Sequence, residues 1–441
     1  MIPARPAHSC RQQRGSALLA ALCFATILAI ALSSYITVCY RNLSMSSRGM
    51  QNTRSIELAE MGMEDALWAL NETTWTGWTI TGTTATKTVS GFSFDNGATG
   101  SIGITITNYD GTTGTRTIAV SGTVTGSDGK TYTRSLTSAS AQAPLFTNAV
   151  AATNGTVSFA SAGTVDSYDS SVGTYDPATA GYSAILASAQ TAPAAANITL
   201  VNAQVKGYAA TLYGNGPSYS TSAKLIGPTT PGTTKIDLNR ISTSPYQPVF
   251  SIKTITGAGD TLVNPVANVT LGSATDTTPH VYYSSGINMT GTTKVTIAGP
   301  VRIVMSGNFY IGLSGGTPSF EVQSTGSLEV FTNSDIAIYG NGINNLSKDP
   351  KKVAIYGTNA LTAPDMSTPT AYYGVIYTPD GSFTVRGDTA QVYGAIVAKK
   401  VSFAGATPGM HYDLNLRNVV FSGIDTPYAV SGVRETTTSA D

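Results

Sequence analysis

No charged side chain occurs between Arg14 and Arg41, and the uncharged run Gly15–Tyr40 constrains this chain more than any other feature. At about 20 residues per crossing, it is long enough to span a bilayer as one helix. Past Arg41 the pattern turns amphipathic without an obvious break. Ile56, Ala59, Met63, Ala66, Leu67 and Leu70 recur at i, i+3, i+4 spacing, and Glu57, Glu60, Glu64 and Asp65 lie off that stripe. Residues 1–15 carry Arg5, Arg11 and Arg14 and no acid, which reads as a leader held on the cytoplasmic side. The apolar run exceeds a secretory h-region of about 7–15 residues and no A-x-A site follows it, so the reading is an anchor.

Composition limits what the anchor carries. Among 441 residues, 25 basic and 25 acidic side chains cancel, and charged residues are only 11% of the chain, which argues against a nucleic-acid binder with its basic stripe. Forty-five Gly, 22 Tyr and abundant Thr favour strands and turns. Cys10, Cys23 and Cys39 all fall in the leader or the apolar run, so no disulfide framework exists in the remainder.

The chain divides into a leader (1–15), a helix with a membrane span (16–70), a small β domain (71–145), a large β domain (146–425) and a flexible tail (426–441). In residues 71–145, the runs 101–109, 116–124 and 130–140 alternate apolar and polar positions, with Asp110-Gly111 and Asp128-Gly129 as hairpin turns. They predict an antiparallel sheet packed on the amphipathic helix. In residues 146–425, short apolar runs recur about every 20–25 residues in the last third, the spacing of solenoid coils. Such coils bury their apolar faces only by stacking. The expected fold class is mainly β: a long N-terminal helix, a small antiparallel sheet, then a right-handed parallel β-helix, with a β-sandwich as the alternative.

The basic leader ending in Gly15, followed by the uncharged helix, resembles the class III signal of type IV pilins and type II secretion pseudopilins. The segment SIELAEMGMEDALWAL (55–70) resembles the region after the membrane span in PilX-type minor pilins. The resemblance implies a prepilin peptidase that cuts after Gly15 and methylates Ser16, with other pilin or pseudopilin subunits as partners. Major pilins carry glutamate at the fifth mature position, which here is Ala20. A charge there would be costly in the bilayer unless paired, so its absence points to a minor or initiating subunit. The stretches 163–176, 372–405 and 411–416 resemble a C-terminal domain of unassigned function often fused to PilX-type N-termini.

Two groups are candidate binding residues. Asp166, Asp169 and Asp176 are carboxylates at close spacing that suit Ca²⁺, but no D-x-D-x-D-G loop accompanies them, so solvated turn aspartates are the favoured reading. Tyr339, Tyr356 and Tyr377 end the similar runs IAIY, VAIY and GVIY, and a period of two points them outward together. They read as a structural ladder or as a platform for an extracellular glycan. His8, His280 and His411 are scattered, no catalytic motif stands in a suitable context, and neither catalysis nor a cofactor is expected.

The functional reading is a minor pilin or pseudopilin-like subunit. It is expected in the inner membrane as a single-pass protein with its body outside the cytoplasm, reaching a filament tip or the cell surface for assembly or adhesion. The alternatives are an anchored β-helix that binds or cleaves polysaccharide, through Asp380, Asp388 and Asp413, and a scaffold that never polymerises.

Overall fold

The computed structural model describes residues 13–110, 115–191, 197–212, 216–243, 245, 247–357, 365–367 and 371–436, with Gln13–Ser16 and Asp365 described by backbone alone. The protein is mainly β, with one long helix, and divides into two compact units: residues 1–142 with 427–441, and residues 143–426.

The first unit is the helix and an antiparallel sheet. Helix α1 (Gln13–Glu72) is unbroken for 60 residues, about 90 Å at 1.5 Å per residue. It is long and apolar enough to cross a membrane. Strands β1 (Thr79–Thr81), β2 (Thr84–Ser93), β3 (Thr99–Thr107), β4 (Arg116–Thr125) and β5 (Thr131–Gln142) follow in sequence order across the sheet. β3 and β4 alternate as the pattern predicted, sending Ile102, Ile104, Ile106, Ile118, Val120 and Val124 to one face. Leu58, Ala59, Met63, Ala66 and Leu70 of α1 pack on that face, with Ile56 and Leu67 at its margin. Burying Leu58, Met63 and Leu70 contributes about 1.5–3 kcal/mol each. Gly129 takes a positive φ of 76° in the Asp128-Gly129 turn, whereas Gly111 of the other expected turn lies outside the described residues.

The tail is a correction. Tyr428–Thr436 is a strand antiparallel to β5, with Tyr428 opposite Gln142 and Thr436 opposite Ser135. The Asn71 side chain accepts from Tyr428 N at 2.6 Å, Arg134 pairs with Glu435 at 2.9 Å, and Arg116 lies over the Tyr428 ring at 4.1 Å. A small, polar segment with no core of its own is ordered here by the open edge of β5. Residues 437–441 lie outside the described residues.

The second unit is built of short strands whose ladders are parallel, which excludes the antiparallel sandwich for it. One inward column shows the stacking: Tyr282, Ile303, Val330, Ile355, Ile376, Ile396, Val150, Leu186, Ala209 and Ile241 are successive register partners. Ile355 and Ile376, like Ile376 and Ile396, are partners on neighbouring parallel strands. The order of the column does not follow the chain. Strands from Asp260 to Asp413 come first, and the strands from Val150 to Ser242 continue them, so the sheet has an internal seam where Ile396 meets Val150. The same seam joins Phe403 to Phe159, their rings stacked at 4.3 Å, and Met410 to Val165. Between Ser242 and Asp260 the chain passes from one end of this strand order to the other, and the described residues 247–255 pack against it. They do so on its outside, where Gln247 Nε2 donates to Leu145 O, Lys253 N to Gly423 O, and Ile252 bridges Ile424.

Candidate functional site

The tyrosines named from sequence are not an outward row. Tyr356 and Tyr377 are register partners but fully buried, and Tyr339 lies beyond the neighbouring strand Ile336–Ile338, on another column. The period-two argument placed the pair on the outer face correctly; what it missed is that two other segments cover this face. Tyr377 Oη donates to Phe250 O and accepts from Phe250 N, both at 2.8 Å. Over Tyr356, a Cβ added to Gly423 would come within 2.6 Å of the ring. Burial drives the Tyr356 phenol well above its ordinary pKa, and that of Tyr377 up to about 12. A glycan platform on these residues is overturned.

The three aspartates do not converge on a cation either. Asp169 accepts from Ser171 N and Oγ, and Asp176 from Ala178 N, each capping its own exposed turn. Asp166 alone is buried. Among the described residues, no group of three His, Cys, Asp or Glu side chains is arranged to hold a metal ion. Gly15 and Ser16 lie in the first turn of α1 by backbone, and their side chains are outside the description.

What Asp166 does is close the seam. Parallel pairing places it beside His411, with His411 Nδ1 at 2.7 Å from Asp166 Oδ1. Tyr175 Oη donates to Asp166 Oδ2 at 2.9 Å, and His411 Nε2 meets Gln391 Oε1 at 2.9 Å. The Gln391 amide nitrogen is itself directed at Thr389 O and Thr407 O, which fixes its oxygen toward the ring. Both imidazole nitrogens thus lie within hydrogen-bonding distance of side-chain oxygens.

Aromatic rings enclose the pair. Tyr373, Tyr393 and His411 are consecutive register partners and stack at 4.3 Å and 4.6 Å, while Tyr175 lies 4.1 Å from the imidazole on its own side. Burial first, then the Tyr373 phenol and the Asp166 charge, pushes Tyr393 up to about 12. Burial and the adjacent Asp166 raise Tyr175 above its ordinary range. Both ring nitrogens of His411 are engaged, and Tyr175 and Tyr393, 5.2 Å apart, pack together against its ring. The cluster is a polar lock between strands remote in sequence.

The half-exposed aromatic row is therefore Tyr373–Tyr393, not the row named from sequence. Its signal was present: YYGVIY (372–377) and VYGAIV (392–397) align at an offset that puts Tyr373 and Tyr393, each before a Gly, on one column. Surface depressions also occur in this unit. A groove of about 560 Å³ lies between residues 249–255 and a wall that includes Val304, Phe331 and Asp380. Another of about 630 Å³ holds the exposed His280–Asp260 pair at 2.9 Å. The acid–base candidates are in unlike places. Asp380 lines the first groove, Asp388 is exposed in a turn, and Asp413 is buried, accepting from Ser170 N and Asn415 N.

Comparison with known proteins adds the following. The competence-associated pilin ComZ from Thermus thermophilus aligns over 88% of this chain and 97% of its own, at 10% identity and a TM-score of 0.22, too low for a common fold to be drawn from it. No curated protein matches. Residues 252–419 match a family model described as a domain of unknown function (DUF7305). That match takes in the strands from Asp260 to Asp413, on one side of the seam.

Proposed function

We propose that this chain is a pilin-like, non-enzymatic subunit: a membrane-anchored stem carrying a β body outside the cytoplasm. One observation carries the reading. One helix exposes residues 17–43, with Leu18 and Phe24 near three-quarters accessible, and buries one face of its C-terminal part on the head sheet. An apolar rod that long needs a bilayer or neighbouring rods around it in water. The leader ending at Gly15, which resembles a pilin signal, supplies the route: a prepilin peptidase removes it and leaves Ser16 as the first residue, in the inner membrane. Ala20 supports a minor subunit, associated with other pilins, over the main filament protein. The body is read as a right-handed parallel β-helix displayed for assembly or adhesion, the parallel columns being its support.

Mass spectrometry of the mature N-terminus tests the reading. Methylated Ser16 is expected, and Gly15→Ala should retain the leader. An intact Met1, or cleavage elsewhere than after Gly15, refutes it.

A further inference from the structure

One end of the second unit is basic. Between Tyr182 and Ser242 the chain carries Lys206, Lys224, Lys235 and Arg240 against a single acid, Asp237, although the whole chain is neutral. Among the described residues, none of these four cations is in an ion pair. Asp237 is engaged otherwise: it accepts from Asn239 N at 3.1 Å and from Thr230 Oγ1 at 2.5 Å, capping the short helical turn Leu238–Arg240.

The fold gathers three of the cations on one outer face. Strand Gln204–Thr211 buries Val205 and turns Lys206 and Tyr208 outward, and it pairs in parallel with Lys224–Ile226 and Ile241–Ser242. Register sets Lys224 opposite Gln204 and Ile226 opposite Lys206. With strands about 4.8 Å apart, that leaves the Lys206 and Lys224 backbones about 8 Å from each other. Arg240 precedes Ile241, the partner of Ala209, and its guanidinium lies 4.3 Å from the Tyr208 ring centre. Tyr182 joins the set: its carbonyl accepts from Arg240 Nη1 at 3.3 Å, and Lys206 Nζ stands 5.7 Å from its ring centre. Gly227 clears the place of the guanidinium, since a Cβ there would strike it. Among the described residues Arg240 gives that one hydrogen bond, which leaves the rest of its five donors unused, and Lys224 is exposed.

We infer that this face binds an acidic polysaccharide through Lys206, Lys224 and Arg240. Three cations with no paired carboxylate raise the local concentration of anions, and their spacing over an outer strand face suits charges distributed along a chain. A sugar carboxylate meets the planar guanidinium in two parallel hydrogen bonds, with the ammonium groups as point charges beside it. Nucleic acid is the poorer match. Single strands stack their bases on aromatic faces, whereas Tyr182 and Tyr208 each hold a cation. A duplex needs a longer basic stripe than three side chains supply. The inference rests on the reading of the body as displayed outside the cytoplasm, and it gives the adhesion part of that reading a ligand class.

Fluorescence polarisation with labelled alginate oligomers, a polyuronate, tests this on the purified full chain in detergent. Alginate should bind and lose affinity between about 50 mM and 200 mM salt, and uncharged dextran should not bind. Lys206→Gln with Lys224→Gln should weaken alginate binding roughly tenfold and leave the melting temperature unchanged. Lys399→Gln with Lys400→Gln removes the same charge from an exposed pair on strand Gln391–Phe403, and binding should not change. Absence of alginate binding at low salt, equal losses from the two lysine pairs, or tighter binding of single-stranded DNA of matched charge overturns the inference. Mass spectrometry of the same samples separates it from the parent reading. Cleavage after Gly15 without alginate binding sinks the patch alone; binding without cleavage sinks the pilin reading alone.

Discussion

Gly122 on β4 is the tightest point between stem and sheet, and its substitution gives a measurable test of how the head holds the helix. A Cβ there would lie 2.0 Å from Ser55 O and 2.7 Å from Ala59 N. Both are backbone atoms of α1, so no rotamer change relieves the contact. Ordinary van der Waals separation is about 3.5 Å, so Gly122→Ala must lift the helix locally by more than 1 Å. That loosens Leu58, Ala59 and Met63 against the sheet. Overpacking of this kind costs about 1–3 kcal/mol, and the rigid opposing surface favours the upper part of the range. The readout is convenient, because all three tryptophans, Trp68, Trp75 and Trp78, belong to this unit. Fluorescence-detected melting of the full chain should show a fall of roughly 5–10 °C, at about 2–4 °C per kcal/mol for a unit this size. Gly103→Ala is the control. Its Cβ meets only the Ser121 hydroxyl, at 2.9 Å, which can rotate away, and its melting should stay near the parent's. Equal melting of the Gly122→Ala and parent proteins would refute the close seating of α1 on β4.

Three further outcomes follow from the body. Tyr377→Phe removes both hydrogen bonds to Phe250, costs about 1–3 kcal/mol, and should speed amide exchange and proteolysis in residues 247–255; unchanged exchange would mean that the tyrosine does not pin this segment. Asp166→Asn or His411→Phe breaks a buried pair and should lower body stability by about 3–5 kcal/mol each, with the double variant losing less than the sum, and strict additivity in a double-mutant cycle would dissolve the lock. Tyr377 and Tyr412 are each held up to about 12, chiefly by burial, against about 10 when unfolded. Folding favours their protonated forms, so their contribution is complete below pH 10 and is lost as pH rises from 10 through 12, by at most roughly 2–3 kcal/mol per tyrosine. Tyrosine-detected unfolding that starts well below pH 9 would contradict that sign.

The legible parts of the fold are those set by local pattern. Residues 15–40 need no tertiary information to be an apolar helix, and the i, i+3, i+4 positions from Ile56 to Leu70 already state which face is buried. The alternation in β3 and β4 gives the sheet, and the short apolar runs give the β-strands of the second unit. Strands β1 and β2 were hidden in a Thr-rich link with no hairpin signal between them. Asp166 and His411, 245 residues apart, could not be paired from spacing.

The sequence by itself therefore determined the stem, the apolar face of the stem, and the mainly β character of the body, because periodicity reports which side of an element meets water. Only the tertiary structure decided the order of the coils, the seam, and the burial of Tyr356 and Tyr377. Those depend on which distant segment covers an element's outer face, and a period of two cannot say whether that face meets solvent or another stretch of chain. The terminal strand makes the same point from the other side. Nothing in Tyr428–Thr436 demands order, yet the unpaired edge of β5 supplies the hydrogen-bonding partners that make it a strand.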